Sequence, residues 1–265
     1  MYKAFYGLNA RPFGKTPDPR FLFMAPQYEE ALARLQYAVE EREIAVLTGE
    51  IGSGNTTLSR ALMDRNEHDQ IILIVNPRLT PNQLLRELAL RLDLTPGHYR
   101  ADLVDALSDR LLQMHEEGRG VVLIVDEAQL IPGKPTFDEI RLLSNFQLDD
   151  TNLIAIVLIG QPELRKRMAH PAYAALRQRV GMWYHLSALG PEETADYVAF
   201  RLKVAGAGDG PVFAPAALGA IHRLSRGVPR VINNLCTNAL LVGFGKEERR
   251  VSAATVEEAA REIVV

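Results

Sequence analysis

The sequence predicts an α/β fold in which a parallel sheet is flanked by helices and followed by a C-terminal, all-helical lid domain. Four apolar runs rich in β-branched residues alternate with amphipathic helical patterns, as expected of parallel strands that are connected by helices. A glycine-rich turn follows the first run, and beyond about residue 189 only helical patterns remain. The four strand-like runs are 44–48, 71–75, 121–125 and 153–159.

Local composition predicts the conformation of the N-terminal segment, and apolar spacing predicts the positions of the connecting helices. Residues 1–26 are rich in aromatic residues, proline and glycine, which favours an extended arm packed on the body over a helix. The aromatic side chains of this arm are expected to cover the core. Apolar positions at helical spacing predict amphipathic helices over 28–41 and 57–63, from Pro81, from Ala101 and over 137–148.

The glycine-rich turn is a candidate phosphate site. It matches the P-loop pattern G-x-x-x-x-G-K-[ST], except that asparagine stands where the pattern has lysine. Glycines let backbone N–H groups converge, and the N-terminus of the following helix adds partial positive charge at the same point. An aromatic residue or a proline of the arm is a candidate wall for an adenine pocket. The motif comprises Gly49, Glu50, Ile51, Gly52, Ser53, Gly54, Asn55, Thr56 and Thr57.

Polar residues follow two later strand-like runs. Asp126 and Glu127 come directly after the third run, where parallel strands bring ligand-binding groups to one edge of a sheet. As a Walker B pair, Asp126 is expected to hold Mg²⁺ with the hydroxyl of Thr56, and Glu127 to orient and deprotonate the attacking water. A helix cap is the structural alternative for the two acids. Gln161, after the fourth run, is a candidate to hold that water or sense the γ-phosphate, or is a turn residue.

The C-terminal part reads as helices throughout. Pro191 opens a helix with acidic residues in its first turn, a favourable arrangement at a helix N-terminus. Further helices are expected over 216–224, 230–241 and 251–263. The predicted domains are an N-terminal arm at 1–26, a P-loop α/β nucleotide-binding domain at 27–188 and a helical lid at 189–265.

Composition and charge limit the class of protein. The 265 residues are 47% hydrophobic and carry a formal net charge of −3, which argues against coating nucleic acid through bulk positive charge. Basic clusters at 165–167 and 177–179 form either a local groove or a solvated face. Histidine spacing shows no zinc pattern, and the single cysteine, Cys236, is expected to be a buried structural thiol in a reducing cytoplasm. No run is long and apolar enough for a signal peptide core or a membrane span.

Together these motifs resemble an AAA+ ATPase, and more narrowly the ExeA/GspA type of general secretion pathway protein A. The resemblance covers nearly the whole chain. Related branches are the ATPases of pilus and exopolysaccharide loci and the regulatory ATPases of DNA transposition. Secretion-type members carry a transmembrane helix and a cell-wall-binding domain after the ATPase, so this chain is expected to be a stand-alone or truncated relative without an integral membrane segment. The matching stretches are 5–8, 12–13, 17–19, 126–129, 160–164, 176–180, 189–194 and 227–230.

The resemblance implies roles for two arginines. Arg230 would be the sensor 2 residue that touches the γ-phosphate in its own subunit. Arg179, or else Arg177, would be the arginine finger that reaches a neighbouring site, which implies a homo-oligomer, ring or filament, around ATP or ADP. A permanent guanidinium charge suits both roles, and a surface salt bridge is the structural alternative for each.

Asn55 replaces the lysine that the motif places on the β and γ phosphates. Asparagine is shorter and neutral, so nucleotide affinity is expected to fall, and transition-state stabilisation to fall further. We therefore predict slow or absent ATP hydrolysis. The chain is either a naturally inactive member or an active ATPase with a substitution at this position, and the retained Asp126, Glu127, Arg179 and Arg230 favour the second explanation.

Three functions are compatible with the sequence. The first is an AAA+ ATPase that oligomerises with ATP and Mg²⁺ and drives or regulates assembly of an envelope machine: a secretion channel, a pilus or a polysaccharide exporter. It would act in the cytoplasm or at the periphery of the inner membrane. The alternatives are an ATP-dependent, DNA-binding regulator of transposition and a non-catalytic nucleotide-binding scaffold. The near-neutral charge favours protein partners over DNA.

Overall fold

The computed structural model describes residues 1–14, 19–97, 99–149, 151–208 and 210–262. Tyr28–Gly49 and Leu58–Leu186 form one compact part, the α/β unit. The described residues of Met1–Gln27, Glu50–Thr57 and Ser187–Val265 form a second part, the helical unit. Pro17 and Asp18 of the arm motif, and Ile263 at the end of the last predicted helix, lie outside the described residues.

Helices and strands alternate through the first two thirds of the chain, and helices follow. The helices are α1 Tyr2–Phe5, α2 Pro26–Glu40, α3 Asn55–Arg65, α4 Pro81–Arg91, α5 Arg100–Glu116, α6 Lys134–Leu143, α7 Pro162–Ala169, α8 Ala174–Arg177, α9 Pro191–Val204, α10 Pro215–Ser225, α11 Pro229–Gly245 and α12 Ala253–Glu262. Short 3-10 helices span Pro19–Phe21, Ala128–Leu130 and Pro171–Tyr173. The strands are β1 Ile44–Gly49, β2 Gln70–Ile74, β3 Val121–Val125, β4 Gln147–Leu148, β5 Thr151–Asn152, β6 Ala155–Gly160 and β7 Val180–Leu186.

The α/β unit is built on a parallel five-stranded sheet in the order β2-β3-β6-β1-β7. Every residue of β1, β3 and β6 is buried, which is why these strands read as continuous apolar runs. Thr48 pairs with Gly160, and Val125 pairs with Leu158, so the carboxyl ends of these three neighbouring strands lie at one edge. The predicted α/β class with C-terminal helices is confirmed.

The edge strand β7 was not predicted. The sequence predicts four strands, and the structure adds Val180–Leu186 beside β1. Most residues of β7 are half-buried and Gly181 is exposed, because one side of an edge strand lacks a neighbour. This gives neither a continuous apolar run nor a clear alternation, which are the two patterns by which strands are recognised.

The helix predicted over 137–148 was wrong at both ends. α6 starts earlier, at Lys134, with Pro135 in its first turn, and ends at Leu143. The hydroxyl of Ser144 donates to the carbonyl of Arg141 at 2.7 Å, which satisfies one of the unpaired carbonyls at the helix end. Gln147 and Leu148 then pair with β5 as a short antiparallel hairpin.

In the helical unit, the arm packs against helices α9 and α11. The prediction of a wholly non-helical arm was wrong, because Tyr2–Phe5 forms one helical turn. The ring of Phe5 contacts Phe244 of α11 edge-on at 5.4 Å between centroids. Arg201 of α9 is buried, donates to the carbonyl of Pro12 at 2.6 Å, and lies over the ring of Phe21. These contacts hold the described part of the arm against the helices of this unit.

Two further features of the helical unit are its buried cysteine and the turn before α11. Cys236 of α11 is fully buried, and burial raises the pKa of its thiol, so it is an unreactive structural cysteine, as predicted. The turn before α11 is held by the main chain: Leu189 donates its N–H to the carbonyl of Gly227 at 2.9 Å. Gly227 has a φ of +74°, a conformation that favours glycine.

Candidate nucleotide-binding site

The glycine-rich turn reverses the chain at two glycines with positive φ. Gly52 and Gly54 have φ values of +86° and +110°, which reverse the chain between the end of β1 and the start of α3. The N–H of Ser53 donates to the carbonyl of Glu50 at 2.9 Å and tightens the turn. The first turn of α3 carries no acidic residue, so its positive helix end is not neutralised.

Arg230 lies directly on this turn. Its main-chain N–H donates to the carbonyl of Gly52 at 3.2 Å. A Cβ added to Gly52 would lie 2.4 Å from the Cβ of Arg230 and 3.3 Å from its Nε. Glycine is therefore required at position 52 twice, by its φ and by the close approach of Arg230. Arg230 itself is exposed at the start of α11.

Asn55 is the first residue of α3 and is partly buried. The hydroxyl of Ser53 donates to its Oδ1 at 3.5 Å. An amide here offers hydrogen bonds but no net charge, unlike the ammonium group of the lysine that the motif requires. The structure thus places the substituted side chain at the N-terminus of the helix that follows the turn.

In the α/β unit, Asp126 follows β3 at the edge where β1 and β6 also end. Its N–H donates to the carbonyl of Ile74, and its Oδ1 accepts the N–H of Glu127 at 2.8 Å. Burial raises the pKa of Asp126 above its ordinary value of 3.8; the Glu127 N–H opposes this shift and the Glu127 charge adds to it. Because burial makes the charged form of this carboxylate unfavourable, a bound cation would stabilise it.

We expect Asp126→Asn to stabilise the metal-free protein at neutral pH. Since folding raises the pKa of Asp126, its contribution to stability is present below the ordinary value of 3.8 and is lost as the pH rises through the folded-state pKa. Asparagine can still accept the Glu127 N–H and carries no charge. In urea unfolding with a chelator present, Asp126→Asn should therefore raise the free energy of unfolding more at pH 7 than at pH 4. Asp105→Asn, on the exposed face of α5, is the control. An equal gain at both pH values would contradict the expectation.

Glu127 lies in a fixed turn with two glutamines. Its φ of +52° puts it in the left-handed region, at the start of the 3-10 helix Ala128–Leu130. Gln129 and Gln161 each donate a side-chain N–H to the same oxygen of Glu127, Oε2, at 2.5 Å and 3.0 Å. The structure therefore brings together the acid and the strand-end glutamine that the sequence analysis selected, and it adds Gln129.

The arginines of the two basic clusters are used in different ways. Arg177 donates to the carbonyls of Met168 and Ala169 at 2.9 Å and 3.0 Å, and thereby caps the end of α7. The guanidinium of Arg167 stacks on the ring of Phe137 at 4.8 Å. Neither side chain is therefore available to a basic groove. Arg179 is exposed, and its guanidinium makes no hydrogen bond or ion pair with any described residue.

From the sequence, neither Gln129 nor Arg167 was assigned an individual role. Arg167 donates from Nη1 to the carbonyls of Gln129, at 3.2 Å, and Ile131, and so holds the turn after Glu127. Gln129 belongs to the matched stretch 126–129, which was a signal of importance but not of role. The contacts of both residues join segments that are distant in the chain, and no local pattern reveals them.

Asp126 offers an oxygen ligand that suits Mg²⁺. Within the described ranges no cluster of three or more His, Cys, Asp or Glu side chains is placed to hold a metal ion. Mg²⁺ commonly takes one or two protein oxygens, with water and phosphate oxygens completing its octahedron. The carboxylate of Asp126 is an oxygen ligand of the kind that Mg²⁺ takes.

The sheet order, the glycine turn and the strand-end acids define an AAA+ domain. Residues 38–168 match the family described as AAA domain. The chain resembles Cdc6p from Pyrobaculum aerophilum (TM-score 0.70, 16% identity, 95% of this chain and 70% of that chain). It also resembles Drosophila ORC bound to DNA (TM-score 0.71, 16% identity, 100% of this chain and 66% of that chain) and the RuvB motor of Thermotoga maritima (TM-score 0.59, 17% identity, 90% and 69%). At such identities these likenesses show the fold alone.

A curated relative narrows the family. The chain is 39% identical over 271 residues to general secretion pathway protein A of Aeromonas hydrophila, a match that covers 99% of this chain and 48% of the relative. Together with the AAA domain match, this relative confirms the resemblance to AAA+ proteins of the ExeA/GspA type that was drawn from the motifs. It spans about half the length of that relative. Among the residues that the structure describes, no helix is long and apolar enough to cross a bilayer.

Proposed function

We propose that this chain is an ATPase domain that binds ATP with Mg²⁺ at the glycine-rich turn and uses its nucleotide state to drive or regulate assembly of an envelope machine. One observation carries the proposal: the turn at Gly52 and Gly54 opens α3, and Arg230 lies on the same turn. A helix N-terminus and a guanidinium are groups that bind a polyphosphate. The similarity to general secretion pathway protein A of Aeromonas hydrophila supports a secretion role.

Each site residue has a role in this proposal. The backbone from Gly49 to Thr57 cradles the phosphates, and Arg230 contacts the γ-phosphate. Thr56 and Asp126 hold Mg²⁺, which when bound neutralises phosphate charge. Glu127 takes a proton from the attacking water, and Gln161 orients that water or senses the γ-phosphate.

Arg179 is the residue that would make hydrolysis depend on assembly. Its guanidinium is exposed, whereas that of Arg177 caps α7, which supports Arg179 as the finger that reaches a neighbouring subunit. A permanent charge supplied by a second copy makes hydrolysis depend on oligomerisation into a ring or filament. We propose that the oligomer acts in the cytoplasm or at the periphery of the inner membrane, on a secretion channel, pilus or polysaccharide exporter.

Arg230→Ala is expected to weaken ATP binding about tenfold, because a charge-assisted contact to phosphate contributes about 1.5 kcal/mol or more. The measurement is a titration of the chain with a fluorescent ATP analogue in the presence of Mg²⁺. Arg250→Ala is the matched control, since Arg250 is an exposed arginine of the same unit. Equal affinity in the two variants, or no binding by the unmodified chain, would remove the basis of the proposal.

Particle imaging separates the competing functions. With a slowly hydrolysed ATP analogue and Mg²⁺, the chain is expected to assemble without DNA, as the net charge of −3 favours protein partners. Assembly that requires duplex DNA and weakens steeply with salt would instead support the transposition-type regulator. Binding of ATP without phosphate release, even after lysine is restored at position 55, would support a non-catalytic scaffold.

A further inference from the structure

The side-chain amide of Gln129 bridges the acidic turn and the end of β6. Its Nε2 donates to Oε2 of Glu127 at 2.5 Å, and its Oε1 accepts the main-chain N–H of Gln161 at 3.1 Å. One end of the amide faces a carboxylate oxygen and the other faces an N–H group. Rotating the amide by half a turn would oppose like groups at both ends, so a single orientation satisfies the two contacts.

The carboxylate of Glu127 is consequently fixed by one of its two oxygens. Oε2 accepts from Gln129 and also from Nε2 of Gln161 at 3.0 Å. Oε1 accepts no hydrogen bond from any residue that the structure describes. Two donors on one oxygen set the plane of the carboxylate and leave the other oxygen to a ligand, which is the arrangement a general base requires.

The surroundings hold Gln129 in place. A Cβ added to Gly160 would lie 2.7 Å from Oε1 of Gln129, so glycine at 160 is what admits this side chain. Arg167, at the far end of the helix that begins after Gln161, donates to the main-chain carbonyl of Gln129 at 3.2 Å. The guanidinium of Arg167 is itself held by the hydroxyl of Tyr173 at 3.2 Å and by the ring of Phe137. The turn is thus fixed through both its side chain and its main chain.

We propose that Gln129 is a positioning residue for ATP hydrolysis: it orients the Glu127 carboxylate and ties that orientation to Gln161 at the end of the neighbouring strand. This inference rests on the proposed ATPase function. Gln129 touches neither substrate nor metal in this scheme and acts through Glu127. Any movement of Gln161 is therefore transmitted to Glu127 by two routes, directly through one hydrogen bond and through Gln129 by two.

The contact is tested without any activity. Gln129→Met keeps the length of the side chain and removes both the donor and the acceptor. In the otherwise unmodified chain, amide hydrogen exchange at Gln161 is expected to accelerate about five- to tenfold, the equivalent of one lost hydrogen bond. Gln70→Met is the matched control, because the amide of Gln70 also bridges two partners, Arg91 and Arg119, but at the start of β2. Unchanged exchange at Gln161 would overturn the proposal.

The role is tested by kinetics in the Asn55→Lys protein. There Gln129→Met is expected to lower kcat about 100-fold, because a misplaced base loses most of its effect, while KM for ATP changes less than about threefold. In the Glu127→Gln background Gln129→Met should cost nothing further, since the residue acts through Glu127. A structural role alone would raise KM or add to the Glu127→Gln loss, and would overturn the inference.

Failure of the inference differs from failure of the proposed function. If the Asn55→Lys protein hydrolyses ATP and Gln129→Met leaves kcat unchanged, the positioning role is wrong and the ATPase assignment stands. If the Asn55→Lys protein binds ATP and releases no phosphate, the ATPase assignment is wrong, and the positioning role falls with it.

Discussion

Replacing Asn55 with lysine is expected to raise the rate of ATP hydrolysis about 100-fold, the largest gain that any single substitution in this chain should give. Asn55 is the first residue of α3, directly after the glycine turn. An ammonium group there stabilises the negative charge that develops on the phosphates during transfer, which a neutral amide cannot do. Because Asn55 is only partly buried, a longer side chain displaces no core residue. The measurement is phosphate release at saturating ATP and Mg²⁺.

The charge of the new side chain is separated from its length by Asn55→Met, which should leave the rate at the level of the unmodified chain. Affinity for ATP is expected to rise less than kcat, since the lysine interacts most strongly with the transition state. Adding Glu127→Gln should abolish the gain, because the restored reaction still needs its base. A lysine variant that binds ATP no better and hydrolyses it no faster would show that position 55 does not face the phosphates.

The fold could be predicted from the sequence wherever burial is complete. Strands β1, β3 and β6 are buried on both faces, so each is a run of apolar residues that allows one interpretation. The half-buried edge strand β7 carries no such run. Ser144 and the short hairpin after it end α6 through contacts that helical periodicity does not encode. Prediction therefore failed where a neighbouring segment, and not local composition, decides the conformation.

The candidate site, too, could be predicted from the sequence only in part. The glycine turn, Asp126 and Glu127 are contiguous motifs whose chemistry depends on spacing along the chain, and the sequence identified them. Gln129 meets the main chain of Gln161 across 32 residues of sequence, and this contact exists only once β3 and β6 are neighbours. Arg167 looked like a member of a surface basic cluster, and its stacking on Phe137 is a tertiary contact. Roles that depend on the register of the sheet were beyond the sequence.

Gly227→Ala is expected to destabilise the helical unit by about 3 kcal/mol or more, the largest loss that a single added methyl group should cause. A Cβ at this position would lie 1.9 Å from the carbonyl oxygen of Leu189 and 3.0 Å from its main-chain nitrogen. These are backbone atoms of a buried residue, so no side-chain rotation relieves the clash. The two segments must separate, which breaks the 2.9 Å hydrogen bond from Leu189 to Gly227. The measurement is the free energy of unfolding in urea.

Gly118→Ala is the matched control for this substitution. Gly118 has the same φ of +74° as Gly227, but no atom lies within 4 Å of the added Cβ. Its cost is the strain of the left-handed region alone, about 1–2 kcal/mol. The difference between the two variants therefore measures the clash with Leu189. Because Gly227 precedes the start of α11, Gly227→Ala should also displace Arg230 from the glycine turn and weaken binding of ATP, an effect that Gly118→Ala should lack. Equal losses of stability in the two variants would mean that the chain passes Leu189 at a greater distance than the structure shows.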